Sequence, residues 1–246
     1  MQIESAKISI IGDRETNQDR VGYLRRGDSI LAVVMDGMGG HSQGEIAAEI
    51  GLETMLKAFA DSPIPVANPQ QFLVDIVLAA HEDVIRTGQG MDIDLMPRST
   101  AAVCLIQDTT MYWVHVGDSR LYHIRDEMVV KRTRDHTHVE TLLQQGVITE
   151  SQVNTHPMRN YVDSCLGGEI DIHMMSESGA IEVDTDDVIL ICSDGIWTAF
   201  QDNAIAKYLS NPDEAIEPLT KALCDLAVQR CHPYSDNASA IVLRLR

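Results

Sequence analysis

Residues 30–45 read ILAVVMDGMGGHSQGE: an unbroken apolar run, one aspartate, a cluster of glycines, and then the polar opening of a helix. The run predicts a strand built for the interior, because it is apolar throughout rather than alternating. Asp-Gly at its end is common turn chemistry. The pair has a second reading, in which the carboxylate and the bare backbone beside it both face something charged. A second stretch, DVILICSDG at 187–195, repeats the pattern of an apolar strand ending on Asp-Gly.

Working outward, short β-like runs dominate the N-terminal part: KISII, RVGYLRR leading into the turn Arg26-Gly27-Asp28, and SILAVVM. Two helical patterns follow. GEIAAEIGLETMLKAF keeps Ile46, Ile50, Met55 and Phe59 on one face, and PQQFLVDIVLAAHEDVIRT keeps Leu73, Ile76, Val77, Ala80 and Val84 on another. TAAVCLIQ, MYWVHVGDSRLYHIR and EMVVKRT read as an antiparallel meander. The stretch 134–168 is polar, rich in His and partly helical, with Thr149 and Gln152 spaced as a capping box. After DNAIAKYLS and DEAIEPLTKALCDLAVQR, both helical, the chain closes on the strand SAIVLRLR. No repeat or linker divides it. The expectation is one α+β domain over 1–246, with β-rich layers covered by two pairs of helices. Strands joined by short turns favour antiparallel sheets over a doubly wound parallel one.

With 246 residues, 44% of them apolar, the chain can bury a substantial core. The formal charge of −18 argues against nucleic acid or an anionic membrane as partner, since both demand clustered Lys and Arg. No apolar run approaches the roughly 18 residues of a membrane span, and MQIESAKISI lacks the basic-then-apolar pattern of a secretion signal. Cys104, Cys165, Cys192, Cys224 and Cys231 show no paired spacing and read as reduced thiols of a cytoplasmic protein.

Four aspartates share a context. Asp36 and Asp194 follow apolar strands, Asp118 follows YWVHVG, and Asp236 lies just before SAIVLRLR. Singly, each is a turn residue or cap. Together they gain a further meaning, because strands of a layered sheet deliver their ends to common rims. Converging carboxylates raise each other's pKa unless a cation sits among them. A few carboxylates, a backbone carbonyl and several waters suit Mg²⁺ or Mn²⁺, and Gly37 would let its carbonyl approach such an ion.

The blocks DRETNQD (13–19), VMDGMGGHSQGE (34–45), RSTAA (98–102), HVGDSR (115–120), RDHT (134–137), CSDGIW (192–197) and SDNAS (235–239) occur in this order. Over nearly the full chain they resemble the signature blocks of the PPM/PP2C metal-dependent protein serine/threonine phosphatases, in their compact bacterial form. The resemblance implies two stacked antiparallel sheets flanked by helices on both outer faces, with two or three Mn²⁺ or Mg²⁺ ions at one end. It implies that Asp36 bridges two ions, that the Gly37 carbonyl ligates one of them, and that Asp194 and Asp236 complete the other. Asp118 with Asp194 would hold a third ion. By the same resemblance Asp19 orients metal-bound water, Arg14 receives the substrate phosphate, and 134–168 forms a flap beside the site. Paired metals would offset the phosphate's charge and lower the pKa of the attacking water, with Arg14 bidentate on the phosphate oxygens. Phosphorylated proteins are the implied partners, being targets of a serine/threonine kinase or the kinase itself, and the chain is expected to act as a monomer.

The chain departs from the family's pattern at two points. Met38 stands where many eukaryotic members carry a histidine proposed as general acid, leaving His41 as the nearest substitute. Ser235 stands where Arg or Lys is common. Other readings are weaker. CDLAVQR (224–230) fits C-x5-R but has no glycine and continues a helical pattern, so Cys224 is a core residue rather than a nucleophile. His136, His138 and His156 lack the spacing of a zinc site. Met91 and Met96 read as ordinary packing. The rivals that remain are a regulatory binding module of the same fold without turnover, and a phosphatase acting on small phosphoesters.

Overall fold

A computed structural model describes residues 2–38, 43–153, 155–168, 175–177 and 180–246. The chain opens with β1 (Ile3–Ile10), β2 (Arg20–Arg26), β3 (Ser29–Met35) and the short β4 (Gly37–Met38), followed by α1 (Gln43–Asp61) and α2 (Pro69–Thr87). Next come β5 (Arg98–Ser99), β6 (Ala101–Gln107), β7 (Thr110–Val116), β8 (Arg120–Arg125) and β9 (Met128–Arg132). The segment 134–168 contains α3 (His138–Gln144) and α4 (Glu150–Val153). After it lie β10 (Ser176–Glu177), β11 (Ile181–Glu182), β12 (Val188–Cys192), α5 (Asp194–Trp197), α6 (Asp202–Leu209), α7 (Ile216–Cys231) and β13 (Ala238–Leu245).

One sheet runs β1-β13-β12-β8-β9, and the other runs β10-β7-β6-β3-β2 with β11 also on β7. Every strand pair in both is antiparallel. From Ile30 on, the strand β3 is apolar because both of its faces are covered. Ile30, Ala32 and Val34 point between the sheets, where they join Ile189, Ile191, Ile241 and Leu243. Leu31, Val33 and Met35 point outward and are covered by Ala48, Met55 and Phe59 of α1 and by Leu73, Ile76 and Val77 of α2. The second sheet is treated alike. Leu190, Cys192, Ala240 and Val242 pack under Ile205 and Leu209 of α6 and Leu219, Leu223 and Cys224 of α7. The result is the expected helix–sheet–sheet–helix sandwich. No helix of the described residues is long and apolar enough to cross a membrane.

The structure corrects the reading of the meander. The meander reading keeps 111–125 within one sheet, but the chain breaks at 117–119, so that β7 pairs within one sheet and β8 within the other. Gly117 adopts φ +96°, a left-handed conformation open chiefly to glycine, and this turns the strand out of its sheet. The helix expected from 213 begins at Ile216. The Thr149–Gln152 capping box is half formed. The Thr149 N–H donates to Gln152 Oε1 at 2.8 Å, and the helix it opens has four residues. The stubs β4, β5, β10 and β11, of two residues each, carry no pattern long enough to be read from the sequence.

Candidate active site

Antiparallel pairing decides which strand ends meet. Cys192, at the end of β12, lies across from Ala240 near the start of β13 and from Arg120 at the start of β8. From the facing sheet come the end of β3 and the end of β7. At this end of the sandwich a cleft of about 890 Å³ is lined by Asp36, Gly37, Asp118, Asp194, Asp236 and Arg14, with Asp13, Glu15, Met38, Asn160, Val162 and Asn237 also on its walls. Asp19 is not on the surface of the cleft. It is buried, and Oδ2 accepts a hydrogen bond from Ser193 Oγ at 2.8 Å.

Backbone contacts hold each acid in place. The Asp36 carbonyl accepts from Thr100 N at 2.8 Å and from Ser99 Oγ at 2.9 Å, while the Asp36 N–H donates to Thr100 Oγ1 at 3.1 Å. Thr100 Oγ1 also lies 2.7 Å from Ser119 Oγ, tying the Asp36 turn to the Asp118 turn. A Cβ on Gly37 would stand 2.2 Å from the Gly44 carbonyl, so close packing against α1 by itself demands glycine there. The Asp118 carbonyl accepts from Trp197 Nε1 at 2.9 Å. The Arg120 guanidinium lies 3.6 Å from the centre of the Trp197 ring and makes two 2.7 Å bonds to Asp135. Asn237 accepts from Gln18 N at 2.8 Å and donates to the Ile11 and Thr16 carbonyls, fixing the 11–18 loop beside Asp236.

Like charges dominate the electrostatics. Burial, followed by the charges of Asp19, Asp194, Asp118 and Asp236, holds the Asp36 carboxyl well above its ordinary pKa. Asp118 is raised in the same way by burial and by Asp194 and Asp135, with Arg120 opposing. Burial and the neighbouring Asp236 push Asp194 up to about 7. Burial also pushes Asp19 up to about 7, against the hydrogen bonds from Ser239 and Ser193. Asp194 Oδ1 is buried and has no hydrogen-bond partner. Arg14 is bonded to Asp236, its Nη2 lying 2.6 Å from Oδ2, and this contact raises its own pKa further. Among the described residues, no three acids, histidines or cysteines close to the spacing of metal ligands. The donor set nevertheless suits a hard divalent cation in kind: several carboxylates, mutually repelling, with one buried oxygen unsatisfied.

Several supporting residues escaped the sequence reading. Ser99, Thr100 and Asn237 lie inside quoted blocks, but their role in bracing the acids depends on contacts far apart in sequence. His41 lies outside the described residues. Cys224 is buried in α7, as expected of a core residue. His136 stacks on His115 with ring centres 4.4 Å apart, and His138 meets Tyr161 edge-on. Met38 lines the cleft, and Ser235 is bonded to Asp13.

This architecture is shared with solved phosphatases. The structure of the Mycobacterium tuberculosis serine/threonine phosphatase PstP/Ppp superposes with a TM-score of 0.86 at 28% identity, covering 99% of each chain. A PstP catalytic domain in complex with two manganese ions gives 0.82 at 27% identity, covering 98% of this chain and 97% of that one. Protein phosphatase PhpP of Streptococcus pneumoniae is 28% identical over 197 residues, 79% of either chain. Residues 9–231 match the family model described as protein phosphatase 2C, and the chain belongs to that family. The resemblance read from the ordered blocks is borne out.

Proposed function

We propose that the chain hydrolyses phosphoserine and phosphothreonine in proteins, with Mn²⁺ or Mg²⁺ as cofactor. The observation that carries this reading is the partnerless, buried Asp194 Oδ1 among carboxylates whose pKa values are raised by burial and by one another. Asp36, Asp118, Asp194, Asp236 and the Gly37 carbonyl would hold two ions, or three. Such ions supply, when bound, a water of lowered pKa and positive charge to offset the phosphate.

The chain's own residues bind and orient. Arg14 is 60% exposed at the mouth of the cleft, so its guanidinium can turn from Asp236 to the phosphate oxygens and engage them bidentately. Asp19 acts from behind the acids, its carboxylate fixed by Ser193, to orient solvent at the cleft floor. Met38 and Val162 add apolar wall near the reacting group. The two manganese ions of the PstP catalytic domain and the name of PhpP support the assignment. We further read 1–246 as a single catalytic domain that acts as a monomer, with 134–168 as its flap, and as reversing the work of a serine/threonine kinase by acting on its targets or on the kinase itself. Unpaired buried cysteines support a cytoplasmic setting.

Purified protein with Mn²⁺ should release phosphate from phosphopeptides and from an aryl phosphate, lose this with EDTA, and regain it when Mn²⁺ is restored. No metal-dependent release from any phosphopeptide would sink the proposal, and a preference for phosphometabolites would shift it to small phosphoesters.

A further inference from the structure

Tyr234 is 90% exposed, the most exposed of the large apolar or aromatic side chains described. Isolated surface aromatics are ordinary. This one differs in what lies beneath it and beside it. The Ser235 N–H and hydroxyl donate to Asp13 Oδ2 at 3.0 and 2.7 Å, and the Asp13 N–H donates to Ser235 Oγ at 2.9 Å. His232 Nδ1 lies 2.9 Å from Asp13 Oδ1, and the Tyr234 N–H donates to the Cys231 carbonyl at 2.9 Å. The backbone carrying the ring is thus pinned on both sides to the loop that bears Arg14. Tyr234 is two residues from Asp236, and Asp13, Arg14 and Asp236 all line the cleft.

A phosphoserine whose phosphate reaches Arg14 must lay its flanking residues over the lip made by 13–16 and 232–236. An aromatic side chain with only two side-chain torsions, carried on backbone already fixed there, gains contact area with little further loss of freedom. The lip also carries Glu15, and the chain as a whole has a charge of −18. We propose that Tyr234 is a specificity contact that receives a Lys or Arg flanking the phosphorylated residue of a protein substrate, stacking the cation on its ring. This rests on the phosphatase reading above and names the kind of polypeptide it acts on.

The test measures kcat/KM of wild type, Tyr234→Ala and Tyr234→Phe on an aryl phosphate and on two phosphoserine peptides, one with Arg and one with Ala beside the phosphoserine. Circular dichroism melts check that each variant folds. Wild type should prefer the Arg peptide. Tyr234→Ala should reduce that preference about three- to fivefold, the size of an exposed cation–π contact, whereas Tyr234→Phe should keep most of it. An unchanged preference in Tyr234→Ala, or equal losses on both peptides, overturns the proposal while aryl phosphate turnover shows the enzyme intact. If wild type fails to turn over even the aryl phosphate with Mn²⁺, the underlying phosphatase reading falls instead.

Discussion

The strand β12 has an acid at each end, and the two are treated in opposite ways. Before its first residue sits Asp187, buried, receiving Arg125 at 2.7 and 2.6 Å, the Asp184 N–H at 2.9 Å and His123 Nε2 at 2.7 Å. Burial raises its pKa, but Arg125, the Asp184 amide and His123 outweigh that, and the carboxyl sits below its ordinary value. Past the other end sits Asp194, pushed up to about 7 by burial and Asp236, with one oxygen unpartnered. The same fold can satisfy a buried carboxylate fully from within. At Asp194 it leaves one buried oxygen unsatisfied, as the proposed cation would require.

Neutralising each acid in turn should separate their roles. Asp194→Asn should lower kcat on an aryl phosphate by about 10²-fold or more, as for loss of an interaction made in the transition state, without lowering stability, because it relieves repulsion. Asp187→Asn should do the reverse. Its unfolding free energy in urea should drop by about 2–3 kcal/mol, less than for a fully buried pair because Arg125 is 40% exposed, and kcat should change little. If both variants behave alike, the contrast between the two ends is wrong.

Saturating Mn²⁺ or Mg²⁺ should raise the melting temperature by about 5–10 °C at a hundredfold excess over Kd, and Asp194→Asn should lose most of that rise. A metal-independent melting temperature would remove the outside partner from the account. Stability against pH sharpens the contrast further. In EDTA, folded Asp19 and Asp194 keep protons near pH 7 that carboxyls of ordinary pKa 3.8 in the unfolded chain have released. Their contribution is therefore fully present below about pH 4 and lost as pH rises through 7. Asp187 has the opposite sign, contributing above the ordinary carboxylate range and losing that contribution as pH falls through its lowered value. Melting temperature in EDTA should accordingly decline from pH 5 to 7.5, and a rise would contradict the raised pair. Arg14→Ala should lower stability only slightly. Its pair with Asp236 is 60% and 36% exposed and should contribute under about 1 kcal/mol, while KM for phosphopeptides should rise about tenfold or more. An unchanged KM would remove Arg14 from phosphate binding.

Much of this was legible because the strands carrying the acids are buried on both faces. ILAVVM and VILIC therefore announce themselves by composition, and the polar residues just past each, Asp36 and Ser193-Asp194, mark where they end. The helix α2 matched its predicted bounds because Pro69 and the apolar spacing from Leu73 to Val84 leave little choice. The 117–119 break was hidden because YWVHVGDSRLYHIR continues in strand-like composition across it, and only the φ of Gly117 tells the two halves apart. The braces were hidden for another reason. Ser99, Thr100 and Asn237 act on partners as far as 226 positions away, and no local period encodes such a distance.

That passage of the main chain from one layer to the other has a mechanical corollary. Asp36 hangs from one sheet, Asp194 and Asp236 from the other, and Asp118 from the link between them, so the gap separating the layers and the aperture of the acid ring are one adjustable dimension. Trimming filler between the sheets, at Val34 or Ile191, should therefore weaken binding of the cation proposed above.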